Sequence, residues 1–422
     1  MIVEMIPVFV ILFLTMALNL PIYIALLSSG IYMQLFINNM SLQSVVSAMF
    51  ESVTKTSLMA IPFFILAGSI MAKGTLGERL IDFCSVFLRS VRAGMAMACL
   101  IANAIFGAIS GSPPAATATF SKILYEPLEK TYGERRTLGL IVGAAGLSSI
   151  IPPSVGMIIY GVVAEVSIAK LFMAGLLPGL VMVIIFAIYL LFSCPKDTME
   201  SKASRHEKKE AFKSSILVLI LPIIILGGIY GGVFTPMEAG ALSAAYSAIV
   251  SYFILKDMNF LTLLKTLKEG TITSVKIYIL IASSGVFAQA LTVTQFPQHL
   301  ASLFEGVSAI GFLAILNIIL LIFGCFFDSS SAILIMVPML APTSMALGID
   351  PIHLGIVYVV NLTVGMITPP FGLNLFVCQG VLGKEMGTIV RAVVPYVILY
   401  IIGIIIITYI PIISTILPNT FM

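Results

Sequence analysis

Long apolar runs separated by short polar segments dominate the hydrophobic pattern of this chain. Residues 6–36 and 392–418 contain no charged residue, and Glu238 is the only charge within residues 216–255. A helix needs about 20 mostly apolar residues to cross the hydrocarbon core of a bilayer. These runs are apolar on every face, a pattern typical of membrane spans rather than of helices at a water-facing surface. We therefore predict an all-α polytopic membrane protein.

The composition supports this class and narrows the possible functions. Of the 422 residues, 59% are hydrophobic and 10% are charged, whereas a soluble domain carries about 25% charged residues. The first apolar run follows Glu4 without a basic segment and exceeds the ~7–15 apolar residues of a cleaved signal peptide. No Gly-x4-Gly-Lys-Ser/Thr loop occurs, so we expect no ATP site. The five cysteines are scattered, and we expect neither a cofactor nor a nucleic-acid partner.

The most polar stretch, residues 195–215, divides the chain near its middle. It carries six basic and four acidic residues, and loops rich in Lys and Arg remain on the cytoplasmic side. We therefore predict a solvated cytoplasmic linker between a first transmembrane repeat, residues 1–194, and a second, residues 216–422. An odd number of crossings in each half would invert one repeat relative to the other and place both termini in the periplasm.

Short motifs recur in the two halves at a constant separation of 217 residues. The matched positions are Gly68 and Gly285, Gly107 and Gly324, Ser112 and Ser329, Ala115 and Ala332, and Pro152 and Pro369. In each half, 45 residues separate the Gly of the first motif from the Pro-Pro pair. Because many transporters are built from internal repeats, this spacing predicts a duplicated, inverted architecture.

Each half contains two segments that disfavour a continuous helix. One is rich in Ser, at residues 110–114 and 328–331, and the other surrounds the Pro-Pro pair, at residues 146–154 and 365–372. Proline removes a backbone donor and clashes with the preceding turn, and non-helical backbone persists at membrane depth only where protein or water satisfies it. Paired broken helices indicate a binding site. The alternative is that the prolines only kink packed helices.

The chemistry of such breaks suits a cation-coupled anion carrier. Free carbonyl and hydroxyl oxygens form a hard cage for Na+, whereas the N-termini of half-helices attract a carboxylate. Asp328 is the only charge between Gly311 and Leu347, and we favour a helix cap beside a cation over direct ligation. Glu238 follows Pro236 and is interpreted as ordinary helix initiation rather than a proton site.

Several motifs together carry a family resemblance. They are residues 61–68 (IPFFILAG), 107–112 (GAISGS), 151–154 (IPPS), 234–239 (FTPMEA), 328–338 (DSSSAILIMVP), 348–351 (GIDP) and 360–376 (VNLTVGMITPPFGLNLF). In this order, over nearly the whole chain, they resemble the large membrane subunit of the tripartite ATP-independent periplasmic (TRAP) transporters.

This resemblance implies an elevator-type, Na+-coupled importer in the bacterial inner membrane. Its partners would be a small four-helix membrane subunit and a periplasmic binding protein that delivers a carboxylate, such as a C4-dicarboxylate or sialic acid. No helices of the small subunit precede Met1, so we expect that subunit to be a separate polypeptide. The moving domain would carry two hairpins, near residues 110–132 and 328–347.

The resemblance also assigns residues to sites. The expected Na+ ligands are Ser110, Ser112, Gly146, Ser149 and Pro152 in the first half, and Ser329, Ser331, Gly365 and Thr368 in the second, where Asp328 would lie beside the cation. Ser154, Asn361 and Asn374 are expected to face the substrate. Two features depart from the family pattern: Pro113-Pro114 at the first tip, and Ser148-Ser149 in the first break, where a Gly-Thr-Leu-Gly run is common.

Other functional classes fit less well. A stand-alone symporter of related inverted-repeat type would work without a binding protein, and neighbouring genes for the two partners would distinguish it. A channel would require a continuous polar path, whereas the polar residues concentrate at the breaks. An enzyme would require a nucleophile–base pair or a metal cluster, and the sequence indicates neither.

Overall fold

The structure is a computed structural model that describes residues 2–18, 20–195, 201–304 and 306–422. Within these ranges every regular element is a helix, and nine helices are long and apolar enough to cross a membrane. The prediction of an all-α polytopic membrane protein is confirmed.

The helices follow one another with short connections. In the first half they are α1 (Ile2–Ala17), α2 (Ile22–Tyr32), α3 (Leu42–Val53), α4 (Ala60–Lys73), α5 (Leu76–Leu88), α6 (Gly94–Ser110), α7 (Pro113–Tyr132), α8 (Glu134–Ala145), α9 (Leu147–Ile150), α10 (Val155–Val163) and α11 (Ile168–Ser193). In the second half they are α12 (Arg205–Tyr230), α13 (Pro236–Ile249), α14 (Phe260–Val293), α15 (Phe296–Leu303), α16 (Ala309–Phe326), α17 (Ser329–Ala346), α18 (Pro351–Gly365), α19 (Leu373–Leu382), α20 (Met386–Tyr409) and α21 (Ile412–Phe421). A 3-10 turn, Thr56–Met59, precedes α4.

The expected solvated linker is partly helical. Residues 196–200 lie outside the described ranges, and α12 already begins at Arg205. Ser204 and Glu207 form a reciprocal capping box, with Glu207 N donating to Ser204 Oγ (3.1 Å) and Ser204 N donating to Glu207 Oε2 (2.6 Å). Arg89 at the end of α5 also pairs with Glu207 at 3.0 Å. Residues 205–215 of the expected linker therefore form the first turns of α12, because these contacts start the helix before its apolar part.

Helix α13 also begins with a reciprocal capping box. Thr235 N donates to Glu238 Oε2 (2.8 Å), and Glu238 N donates to Thr235 Oγ1 (3.3 Å), while Pro236 occupies the first turn. The interpretation of Glu238 as a helix-initiating residue is confirmed.

The backbone repeats irregular features at the same separation of 217 residues. The helix that begins with α2 ends in a π-helical segment, Met33–Ile37, and the one that begins with α13 ends in another, Val250–Ile254. Each segment is followed by a residue in the left-handed region, Asn39 (φ 51°) and Lys256 (φ 54°). Few L-residues adopt positive φ. The occurrence of such a residue at equivalent positions of the two halves is therefore a structural match that does not depend on side-chain similarity.

Two groups of helices meet at the centre of the molecule. In one group α2, α3 and α4 pack against α13 and α14, and in the other α6–α11 pack with α16–α21. Helices α4 and α14 contact α6 and α17 across the boundary between the groups. Near the middle, Gly146 lies against Thr363, its equivalent in the other half: a Cβ on Gly146 would lie 3.0 Å from Thr363 Cγ2. Contact between equivalent positions is expected beside a two-fold axis.

Candidate functional site

A cavity of about 1000 Å³ lies where the two groups of helices meet. One wall is formed by the starts of α2 and α10 and by side chains of α4 and α14, and the other by the segments that join α6 to α7 and α16 to α17. These two segments are the tips of helix–break–helix units. The tips are thus the centres of the units 94–132 and 309–346, rather than the starts of hairpins at residues 110 and 328.

The first tip is fitted closely between α4 and the first Pro-Pro break. Gly111 adopts a left-handed φ of +55°, and a Cβ there would lie 2.7 Å from the carbonyl oxygen of Pro153. Gly68 on α4 approaches from the other side, where a Cβ would lie 2.8 Å from Ser110 Cα. Pro113 and Pro114 begin α7, a position in which proline lacks no needed hydrogen bond. Glycine is therefore strongly favoured at residue 111, because a side chain would both disfavour the left-handed backbone and meet the Pro153 carbonyl.

The second tip is built around Asp328. Its Oδ2 accepts from the backbone N–H groups of Ser330 (3.0 Å) and Ser331 (3.2 Å), and its Oδ1 accepts from the Ser331 hydroxyl. The prediction that Asp328 caps α17 is confirmed. Ser329 Oγ donates to the sulfur of Met366 (3.2 Å), which connects the tip to the second break.

The Pro-Pro segments interrupt the helices as expected. The first lies between α9 and α10, the second between α18 and α19, and both Pro-Pro bonds are cis. Ser149 is buried and lines the cavity. The Thr368 hydroxyl donates to the carbonyl of Val364 (2.7 Å), so its lone pairs remain available to a cation.

Two glycines assigned to cation sites have packing roles in this structure. A Cβ on Gly146 would lie 2.3 Å from the Tyr400 hydroxyl, which itself donates to the carbonyl of Gly143 (2.9 Å). A Cβ on Gly365 would lie 2.1 Å from the carbonyl carbon of Gly324. Their carbonyl oxygens can still contribute to a site, but these positions are glycine because neighbouring helices leave no room for a side chain.

The cavity gathers about half of the predicted site residues. Those that line it are Ser110, Ser112, Ser149, Asp328, Ser329 and Ser331. Those that do not are Gly146, Pro152, Ser154, Asn361, Gly365, Thr368 and Asn374. Five residues of the second set belong to the two breaks, and the other two, Asn361 and Asn374, lie on either side of the second break in the sequence.

The three expected substrate residues are all buried outside the cavity wall. Asn361 is 0% exposed and donates to Asn317 Oδ1 (2.8 Å) and to the carbonyl of Val357 (2.8 Å), so it faces α16. The Ser154 hydroxyl and both side-chain polar atoms of Asn374 are buried without a hydrogen-bond partner among the described residues. Ser154 immediately precedes Val155 and Gly156, which line the cavity.

Lys276 on α14 is a cavity residue that our sequence reasoning missed. Among the described residues that line the cavity, only Lys276 and Asp328 carry charge. A signal was present in the sequence: no Asp, Glu, Lys or Arg other than Lys276 occurs between Glu269 and Glu305. An isolated charge within an apolar run usually faces a cavity and has a function.

The cavity has the chemistry of a binding site rather than of a reaction centre. Within the described ranges, His, Cys, Asp and Glu form no group of three or more that could hold a metal ion. The wall instead offers hydroxyls, the N-termini of α7 and α17, one carboxylate and one ammonium group. Such groups can orient a small ion or anion without making or breaking a covalent bond.

Comparison with known proteins agrees with this description. Residues 9–413 match the family model described as the DctM component of the tripartite ATP-independent periplasmic transporters. The C4-dicarboxylate TRAP transporter large permease protein DctM of Pseudomonas aeruginosa is 40% identical over 384 residues, which cover 90% of each chain. The protein of the same name from Vibrio cholerae is 36% identical, with 96% of each chain covered.

A solved structure shares the fold. The YdaH transporter of Alcanivorax borkumensis superposes with a TM-score of 0.56 over 89% of this chain and 87% of its own, at 14% identity. That identity supports a likeness in fold alone. The family match and the two relatives, together with the membrane-spanning helices, lead to one assignment. The chain belongs to the DctM family of TRAP transporter large permeases, and it is a multi-pass inner-membrane transport protein rather than an enzyme.

Proposed function

We propose that this permease is the translocating subunit of a Na+-coupled importer of small organic anions and that it works by an elevator mechanism. The observation that carries the proposal is the single cavity of about 1000 Å³ that brings both hairpin tips, Lys276 and Asp328 together. A cavity of this size accommodates a small carboxylate together with its water.

Anion binding is supported by the positive groups on the cavity wall. Lys276 supplies an ammonium group, and α7 begins at the first tip, where its free backbone N–H groups and partial positive charge favour an anion. The relatives from Pseudomonas aeruginosa and Vibrio cholerae are named as C4-dicarboxylate permeases. We therefore propose a carboxylate substrate, with C4-dicarboxylates as the first class to test and sialic acid as the second.

Cation coupling is supported by the oxygen atoms at the tips and breaks. In the second half, the hydroxyls of Ser329 and Thr368 and the negative charge of Asp328 are available beside the carbonyls that the Pro-Pro break frees. Na+ prefers such hard oxygen ligands, as Mg²⁺ and Ca²⁺ do. In the first half, Ser110, Ser112 and Ser149 line the same cavity. Binding of the cation to both tip and break would order the wall against which the anion rests.

An elevator movement is supported by the division into two groups of helices. One wall of the cavity comes largely from α2, α4 and α14, and the other from tips in the group α6–α11 and α16–α21. Sliding of the second group along the first would carry a bound anion across the bilayer without opening a continuous pore. Inverted repeats provide two related end states for such a movement.

Two partner proteins belong to the proposal. A small four-helix membrane subunit would hold the group that contains α2–α4, α13 and α14, and a periplasmic binding protein would deliver the anion. Side chains on α12 and α14, including Ile223 and Val275, are apolar and exposed in the isolated chain. In the membrane they would contact lipid or the small subunit.

Transport in proteoliposomes tests the proposal. We expect labelled succinate to accumulate only with the small subunit, succinate-loaded binding protein and an inward Na+ gradient. Equal uptake driven by a proton gradient in Na+-free buffer would overturn the coupling. Equal uptake without the binding protein would favour the stand-alone symporter instead. A panel of carboxylates, tested first for thermal stabilisation of the binding protein, would identify the substrate class.

A further inference from the structure

A second cavity, of about 550 Å³, lies apart from the one between the hairpin tips. Its wall comes from the end of α7, the start of α8, the end of α11 and the start of α20, and it shares no lining residue with the first cavity. Ser193 and Cys194, which lead into the linker, are part of this wall. The cavity is therefore at the end of the molecule that the basic linker places in the cytoplasm.

The second cavity is rich in arginine. Arg135 and Arg136 line it, and Arg92 donates from Nη2 to the carbonyl of Cys194 (3.1 Å) in its wall. The only carboxylate among the described lining residues is Glu134, and it is paired with Lys384 at 2.8 Å. Positive charge in the cavity is therefore not neutralised by the described part of the protein.

Other donors in or beside this cavity also lack partners among the described residues. Helix α8 begins at Glu134, so its first-turn N–H groups and partial positive charge face the same space. Thr137 is 1% exposed, lines the cavity, and its hydroxyl has no hydrogen-bond partner among the described residues. The Nε of Arg92 is likewise buried without a partner. A buried donor without a partner is unfavourable, so a bound anion that accepts from these donors would stabilise the site.

The surroundings of the cavity indicate what kind of anion it holds. On either side, α11 and α20 expose the apolar side chains Ile188, Phe192, Val394 and Ile398, with Phe192 80% exposed. A free phosphate ion would leave this surface bare, whereas the acyl chains of a phospholipid would cover it. Basic pockets between helices at the cytoplasmic side are suited to anionic headgroups.

We infer that this cavity binds the phosphodiester headgroup of an anionic phospholipid from the inner leaflet. Arg135 and Arg136 would pair with the phosphate, the Thr137 hydroxyl and the first N–H groups of α8 would donate to it, and the acyl chains would lie along α11 and α20. Because α8, α11 and α20 belong to the group that would move in the elevator mechanism, the lipid would travel with it. The site itself does not depend on the coupling ion or the transported substrate.

The test is lipid binding to the purified, delipidated permease, which requires no transport. Phosphatidylglycerol should raise its melting temperature, whereas phosphatidylcholine and inorganic phosphate should not. We expect Arg135→Gln/Arg136→Gln to weaken phosphatidylglycerol binding about tenfold, as loss of charge-assisted bonds implies. Lys268→Gln, which removes an exposed charge on α14, is the matched control and should bind as the wild type does.

A second variant separates lipid binding from folding. Thr137→Val keeps the shape of the side chain and removes only the unpartnered hydroxyl, so lipid-free stability should be retained while phosphatidylglycerol affinity falls. Equal stabilisation by inorganic phosphate would show a free-anion site and overturn the inference. So would unchanged phosphatidylglycerol binding in the double arginine variant, or in Thr137→Val if the double variant does not fold.

Discussion

Gly365 lies backbone to backbone against Gly324, the last glycine of α16. A Cβ added at Gly365 would lie 2.1 Å from the carbonyl carbon of Gly324. The equivalent pair in the first half makes the same approach, since a Cβ on Gly107 would lie 2.6 Å from Ser148 Cα. In both halves, the first helix of the hairpin unit is thus held directly against the break. This contact fixes the position of each tip relative to the Pro-Pro segment.

Gly365→Ala is expected to destabilise the permease by roughly 1–3 kcal/mol or more, because neighbouring backbone cannot yield as a flexible side chain would. Thermal unfolding in detergent measures the effect. Gly380→Ala in α19 is the control, since a Cβ there meets no atom within 4 Å and alanine favours a helix over glycine by about 1 kcal/mol. If both variants unfold at the same temperature, the close contact is not important for stability.

The sequence predicted the positions at which helices are interrupted more accurately than the directions in which side chains point. The Ser-rich tips and Pro-Pro breaks follow from local rules for proline and glycine, and the structure has interruptions at these places. Whether Asn361 faces the cavity depends on the rotation of α18 against α16, and in the structure Asn361 instead donates to Asn317, 44 residues away in the chain. Such long-range packing cannot be deduced from the spacing of motifs.

Lys276 and residues 205–215 also show how much can be deduced from charged and polar residues in the sequence alone. The isolated charge of Lys276 was visible in the sequence, but only the packing of α14 beside the tips shows that it lines the cavity. Residues 205–215 were expected to belong to a solvated linker because they are polar, whereas the capping box at Ser204 makes them the first turns of α12. Polarity indicates contact with water but does not exclude a helix.

Asp328→Asn separates the capping role of this residue from its charge. Asparagine is also a good N-cap, so stability should change little, whereas Asp328→Ala should lose about 1 kcal/mol. If a cation binds near the carboxylate, Asp328→Asn should raise the Na+ concentration for half-maximal uptake about tenfold, or about 1.4 kcal/mol. Unchanged Na+ dependence in Asp328→Asn would show that the residue serves only as a cap.

Thr368→Ala removes a hydroxyl whose hydrogen is already donated to the Val364 carbonyl. Its lone pairs are the part available to Na+, so the half-saturating Na+ concentration should rise about tenfold. Thr368→Ser keeps the oxygen and should retain nearly normal Na+ dependence. Initial uptake rates at graded Na+ concentrations measure both, and an identical response in the alanine variant would remove Thr368 from the site.

Lys276→Gln should slow uptake of a dicarboxylate about tenfold at saturating loaded binding protein, because losing one charge-assisted contact to the anion corresponds to about the 1.4 kcal/mol that this factor represents. Lys276→Arg keeps the charge and should retain most activity. Lys268→Gln, two turns earlier on α14, removes a charge that does not line the cavity and is the control. Normal uptake by Lys276→Gln would exclude a direct role in anion binding.

Glu165→Gln tests an ion pair between the two groups of helices. Lys55 Nζ lies 2.8 Å from Glu165 Oε1, with the side chains 39% and 76% exposed. The hydrogen bond from Lys55 lowers the pKa of Glu165, so the stability that the pair contributes is present above the unfolded pKa, about 4.3. This contribution to stability is lost as the pH falls through the folded-state pKa.

Because exposed pairs are screened, we expect Glu165→Gln to lower stability by less than about 1 kcal/mol at neutral pH and not at all at acid pH. Melting temperatures across this pH range measure the loss, and one several times larger would show that the pair also holds the two groups in one arrangement.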